Sequence, residues 1–215
     1  MIYELSHSEK NGDAAREQKI LIADLQQIHS EFKFDIRYAR TDNFMKKSVY
    51  PEARAFLLKH VADDLVKVHQ SLKPHGFGLL IFDGYRPWAV TKLFWDASNE
   101  HDRQFLANPE AGSSHNRGCA VDLSLYWLKT GEPVEMPSDF DEMNEKAYPD
   151  YGKGSAESRH HRDLLKTAML ANGFTGIRYE WWHFNHLSHQ QWPVLDLSFA
   201  EILRAPQIPS LLQKG

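Results

Sequence analysis

The chain has a single cysteine, Cys119, in 215 residues, so no disulfide can form within it. That absence suits a reducing compartment, and a cytoplasmic location is expected, with a periplasmic one as the alternative if a leader has been removed. No stretch approaches the roughly 20 apolar residues that a membrane-spanning helix requires. The segment Met1 to Gln18 is polar and lacks the apolar core of a signal peptide. Basic runs are missing too: 25 Lys and Arg stand against 29 Asp and Glu, for a formal charge of -4. Nucleic-acid binding therefore has little electrostatic support. Without a repeat, a low-complexity segment or a linker, residues 1–215 are expected to form one domain, long enough to bury a substantial core.

What is present is a globular composition, 42% hydrophobic and 12% aromatic. Leu21, Leu25, Ile28 and Phe32 recur at helical spacing, so Asp13 to Glu31 reads as an amphipathic helix with an Asp cap, and residues 1–31 as a helical extension. Phe32, Phe34, Ile36 and Tyr38 alternate as in a strand. Leu57, Val61, Leu65, Val68 and Leu72 mark a helix stopped by Pro74 and Gly76. A buried strand is expected over Phe77 to Phe82, and a helix from Pro87 to about Ala97. Further strands are expected over Ala120 to Leu128 and Ile177 to Phe184, with a helix from Ser158 to Ala171 between them. Residues 98–118 and 135–155 read as long loops, which in a compact domain are commonly lids or binding loops. The tail, residues 193–215, is expected to lie over the surface. This order, without regular βαβ alternation, favours α+β: an antiparallel central sheet with flanking helices.

Twelve histidines are present. His7, His29, His60, His69 and His75 stand among charged neighbours and are expected to be solvated. Two others fall in a pattern, Ser113-x-His115-x(6)-Asp122 and Glu180-x-x-His183. Two imidazoles and a carboxylate can hold a divalent zinc with a fourth position open for water. The second carboxylate, Glu180, can take a proton from that water. Isolated histidines are more often ordinary core or surface residues, and spacing conflicts with a simple metal site. Positions seven apart on one strand face opposite ways, as do positions three apart. Placing His115 in its Gly/Ser loop removes the first conflict. A bulge or strand end within Trp181-Trp182 is expected to remove the second. Arg86, after a buried strand, can face a developing oxyanion, although a salt bridge with Asp83 is the commoner role. Cys119 is expected to be a small buried residue, and the tryptophan pair core and pocket wall.

Taken together, several segments resemble one family. They are Asp35-Ile-Arg-Tyr-Ala-Arg-Thr-Asp-Asn-Phe44, Asp83-Gly-Tyr-Arg-Pro87, Gly112-Ser-Ser-His-Asn-Arg-Gly-Cys-Ala-Val-Asp122, Phe140-Asp-Glu-Met143 and Glu180-Trp-Trp-His183. In this order they resemble the D-alanyl-D-alanine dipeptidases, VanX-like zinc peptidases related to the D,D-carboxypeptidases and to the Hedgehog signalling-domain fold. The resemblance implies one zinc per chain on His115, Asp122 and His183, with Glu180 as general base. It implies Arg86 at the tetrahedral intermediate, Ser113 at the substrate's carboxylate, and Asp141 with Tyr38 at its ammonium group. The chain departs from the family in its longer N-terminal helix, in Cys119 where a small hydroxyl residue is common, and in the loop before Gly112.

The expected function is hydrolysis of the D-Ala-D-Ala dipeptide. One rival is a D,D-carboxypeptidase or endopeptidase acting on peptidoglycan stems, which would need an open groove. Another is a non-enzymatic zinc-binding module, which would need neither Glu180 nor Arg86.

Overall fold

Among the described residues, two β-sheets organise the chain. The computed structural model describes residues 1–11 and 14–208, with residues 8–11 and 14–17 described by backbone alone. The strands are β1 (Ile2–Asn11), β2 (Ala14–Asp24), β3 (Lys33–Phe34), β4 (Phe56–Leu58), β5 (Phe77–Asp83), β6 (Ala120–Trp127), β7 (Phe174–Gly176), β8 (His183–His186) and β9 (Gln207–Ile208). The helices are α1 (Leu25–Ile28), α2 (Lys59–Leu72), α3 (Trp88–Ala97), α4 (Ala156–Ala171) and α5 (Phe199–Arg204). One sheet runs β4-β2-β1-β9 and the other β3-β5-β6-β8-β7. Every pairing is antiparallel except β3 with β5, which is parallel. The architecture is α+β.

The second sheet carries the core. All of β5 is buried, and so is β6 up to its last residue, which explains their nearly unbroken apolar sequences. Val61, Ala62, Leu65, Val68 and Leu72 form the buried stripe of α2, which packs against α4 and β5. Ser155 caps α4 by accepting from the Ser158 N–H at 2.9 Å. Among the described residues, no helix is long and apolar enough to cross a membrane.

The N-terminal segment is a β-hairpin, not a helix. Tyr3 pairs with Ile22 and Leu5 with Ile20, and both isoleucines are completely buried. Lys19-Ile-Leu-Ile-Ala23 satisfies both a helical spacing through Leu21 and a strand alternation through Ile20 and Ile22. Pairing with β1 and β4 decides for the strand. Helix is confined to α1, where Asp24 accepts from the Gln26 N–H at 3.0 Å; Asp13, the expected cap, lies outside the described residues.

Other expectations also shift. Only Lys33–Phe34 of the alternating stretch 32–38 is strand, because a 3-10 turn begins at Arg37. The strand expected over 177–184 starts only at His183, as β8, and residues 177–182 are irregular. The tail does not merely cover the surface. Leu195, Phe199 and Ile202 are buried, a Ser198/Glu201 capping box starts α5, and β9 pairs with β1; residues 209–215 lie outside the described residues. His69 is fully buried, not solvated.

Removing methyl groups from the hairpin core tests its contribution. Ile22→Ala should cost about 2–5 kcal/mol, the usual range for such a cavity. Urea unfolding measures it, and a loss near zero would mean the hairpin contributes no core.

Candidate active site

Sheet register brings the chemical groups together. β6 lies between β5 and β8, and Asp122 stands opposite His183. On its other side, an irregularity between Ile81 and Asp83 sets Asp83 opposite Asp122. A shift of this kind re-aims side chains that strict alternation would send elsewhere. His115 arrives from a different direction, in the 3-10 turn His115–Arg117. Gly118 ends that turn at φ 64°, where a side chain would be strained and its Cβ would crowd the Leu58 nitrogen at 3.2 Å. Asn116 fastens the turn: its amide donates to the Arg86 carbonyl and to Thr91 Oγ1, both at 2.8 Å, and its oxygen accepts from the Ser113 N–H at 2.8 Å.

His115 Nε2 lies 3.1 Å from His183 Nδ1 and 3.3 Å from Asp122 Oδ2, while His183 Nδ1 lies 3.0 Å from Asp122 Oδ1. All three side chains are buried, and their donor atoms lie within 4.8 Å of one another. The outer ring nitrogens have partners that set the tautomers. His115 Nδ1 donates to the Gly84 carbonyl at 2.7 Å, and His183 Nε2 to Asn185 Oδ1 at 2.9 Å. With those partners satisfied, His115 Nε2 and His183 Nδ1 are the nitrogens left to face Asp122, and neutral rings held this way would offer those same nitrogens to a metal. Two imidazoles and a carboxylate in this arrangement fit a divalent metal.

Around this cluster the charges are unbalanced. Arg86 is buried, with Nε and Nη2 on Asp83 Oδ2 at 3.1 and 2.8 Å, and Nη2 3.7 Å from Asp122 Oδ2. Its guanidinium also sits over the rings of Phe94 and Tyr38, at 5.0 and 5.4 Å. The salt bridge with Asp83 thus coexists with a place in the cavity wall. Burial acts to raise Asp122, but the two imidazoles outweigh it and hold that carboxyl well below its ordinary range. Glu180, 3.8 Å from His183 Nδ1, is pushed up to about 8, chiefly by desolvation, with His183 opposing and the Asp122 and Asp141 carboxylates adding. Asp141 is raised to about 7 by desolvation, against a 2.8 Å hydrogen bond from the Tyr38 hydroxyl.

These groups face one cavity of about 300 Å³. His115, Asp122, His183, Glu180, Arg86, Ser113, Asp141 and Tyr38 all line it, so the structure brings together every site residue proposed from sequence. Ser113 Oγ is engaged by the His115 N–H at 3.1 Å.

A family model described as D-ala-D-ala dipeptidase (Peptidase_M15) matches residues 18–202. The chain belongs to the D-ala-D-ala dipeptidase family. Among curated members, the D-alanyl-D-alanine dipeptidase of Escherichia coli K12 is 32% identical over 179 residues, covering 83% of this chain and 91% of that protein. That of Enterococcus faecalis V583 is 36% identical over 187 residues, covering 78% of this chain and 92% of that protein.

For this dipeptidase-family chain, sequence reasoning missed the groups that hold the candidate ligands. Gly84 contributes only a carbonyl, and an added Cβ there would stand 2.6 Å from the Phe56 carbonyl oxygen. Asn185, two residues past His183, carried no signal beyond its strand alternation with that residue. Gln104, Phe105, Leu106 and Ala107, from the loop before Gly112, and Tyr179 supply further wall; only their place in a long loop or beside Glu180 hinted at this.

Two expectations follow. Asn185→Ala should weaken zinc binding by about 10- to 100-fold, the usual effect of losing a ligand's outer partner; unchanged affinity in a competitive chelator titration would remove Asn185 from the site. The second concerns pH. Glu180 and Asp141 hold protons in the folded metal-free protein that they would release when unfolded, so stability falls as pH rises towards their folded values. His69, lowered to about 4 mainly by burial, acts oppositely but only below about 6.5. Between about pH 6.5 and 8 the metal-free protein should therefore lose thermal stability, while stabilisation by added zinc should grow. Melting curves with and without zinc test this, and a metal-free protein that gains stability over that window would contradict it.

Proposed function

We propose that this protein hydrolyses the D-Ala-D-Ala dipeptide to free D-alanine, using one zinc ion held by His115, Asp122 and His183. The observation that carries the reading is the convergence, in one small cavity, of a metal-competent cluster with an unligated carboxyl, a guanidinium and a second carboxyl. A purely structural zinc needs none of the last three. When bound, zinc would supply Lewis acidity to the scissile carbonyl and the attacking water.

The remaining steps belong to the protein. Glu180, whose ionised form the charge of a bound divalent metal would favour, takes a proton from the water and returns it to the departing amine. Arg86, held by Asp83 and pressed on Tyr38 and Phe94, faces the negative charge that develops on the carbonyl oxygen. Ser113 supports the substrate's carboxylate, and Asp141, oriented by the Tyr38 hydroxyl, its ammonium group. A volume near 300 Å³, at the low end of the roughly 300–1,000 Å³ usual for small-ligand sites, suits a dipeptide. A cytoplasmic location belongs to the same proposal and rests on the lone cysteine, a buried free thiol.

Glu180→Gln should retain zinc and lose about 100- to 10,000-fold in turnover. Near-normal turnover would exclude Glu180 as base, and loss of zinc would make it a ligand. N-acetyl-D-Ala-D-Ala lacks the ammonium group and should be cleaved poorly or not at all. Efficient release of D-alanine from a pentapeptide stem would instead favour the carboxypeptidase.

A further inference from the structure

Asp141 holds a left-handed backbone, φ 61°. Few residues other than glycine adopt that conformation, although Asp and Asn do so most readily. The segment around it is gripped at successive positions. Phe140 is buried, stacked on Phe82 with ring centroids 4.7 Å apart and edge-on to Trp182 at 5.6 Å. One residue earlier, Asp139 meets Arg37 in a two-point pair, Nη1 to Oδ2 at 2.7 Å and Nη2 to Oδ1 at 2.8 Å. Arg37 is the immediate neighbour of Tyr38, whose hydroxyl donates to Asp141. One 3-10 turn, Arg37–Ala39, thus holds alternate residues of the 139–141 segment.

The turn is itself braced. Arg37 Nε donates to Asp35 Oδ2 at 3.1 Å, and Arg40 joins Asp35 to Asp42 through Nη2, at 2.5 and 2.9 Å. Asn43 Nδ2 ties the Arg37 and Arg40 carbonyls together, at 3.0 and 2.8 Å. A planar guanidinium bound at two points fixes orientation as well as distance, which a single-point ammonium cannot do.

We propose that Arg37 is a positioning residue for the substrate's ammonium group: through its two-point pair with Asp139 it sets the angle at which the Asp141 carboxylate enters the cavity. The inference rests on the reading of Asp141 as the ammonium acceptor. Because Asp139 is largely exposed, the pair adds little to global stability. Its loss acts on substrate binding.

Steady-state kinetics of the zinc-loaded full-length protein on D-Ala-D-Ala provide the test. Arg37→Ala and Asp139→Ala should each raise KM about 10-fold or more, towards the roughly 100-fold that a misplacement near 1 Å can cost. In both, kcat should stay within about 3-fold and the melting temperature should barely move. The double variant should be no worse than the more affected single one, as for residues acting as a pair. Arg37→Lys should recover only part of the loss. An unchanged KM in Arg37→Ala, or effects that multiply in the double variant, would overturn the proposal. So would a fall in kcat and melting temperature with KM unchanged. Asp141→Asn separates the two levels. If it leaves KM unchanged, the ammonium reading fails and the positioning role with it. If it raises KM while Arg37→Ala and Asp139→Ala do not, only the positioning role fails.

Discussion

Four carboxyl groups, Asp83, Asp122, Asp141 and Glu180, crowd around one buried guanidinium, Arg86. Asp83 and Asp122 are almost wholly removed from solvent, and Glu180 is 13% exposed. Such a cluster cannot be fully ionised without further positive charge, because like charges in a low-dielectric setting raise one another's proton affinity. Desolvation is the main cause of the raised values of Glu180 and Asp141, and the neighbouring carboxylates add to it. A divalent metal and a substrate ammonium are two cations that would supply the positive charge. The same imbalance that costs the fold stability would favour those ligands, a conflict between local stability and function expected at active sites.

The fold maintains this imbalance through backbone geometry. Asp83, Asp122 and His183 lie side by side across three strands because β5 shifts register beside β6. The Gly84 carbonyl orients His115, and Gly84 is held close to β4, where the next residue's N–H, from Tyr85, donates to the Phe56 carbonyl at 2.6 Å. Phe56 belongs to the N-terminal sheet through pairing with Asp24. The hairpin that sequence periodicity misassigned therefore reaches the candidate metal-binding cluster through two intermediates, β4 and Gly84.

Site residues were more legible in the sequence than the fold was. Histidine, aspartate and glutamate at fixed spacings carry their chemistry in their identity, so His115, Asp122, Glu180 and His183 could be selected before any geometry. The parity conflict pointed to a break at Trp181-Trp182, and β8 begins just after it, at His183, although the strand expected before the break is irregular. Illegible were the features made by partners distant in sequence. Nothing within residues 19–28 reveals that β1 and β4 will pair with them, so a helical reading through Leu21, Leu25 and Ile28 competed on equal terms. Likewise Leu195, Phe199 and Ile202 look unremarkable until Tyr85 hydrogen-bonds to both Leu197 backbone groups and the tail packs down.

A second grouping of the same residue types shows why composition alone does not define a metal site. The side chains of His29, Glu31 and His69 also lie within 4.8 Å of one another. There the ring hydrogen bonds run the other way: His29 Nδ1 accepts from the Glu31 N–H, and the buried His69 Nδ1 from the Leu79 N–H, both at 3.3 Å. Neutral rings bonded so carry their protons on Nε2, the atoms nearest Glu31, at 4.0 and 3.7 Å. Lys73 already neutralises that carboxylate, at 2.7 Å. At His115 and His183 the outer nitrogens meet a carbonyl and an amide oxygen, so the inner ones stay free to ligate. Hydrogen-bond direction one shell out, set by Gly84 and Asn185, therefore separates a metal-competent cluster from an ordinary polar contact of the same composition.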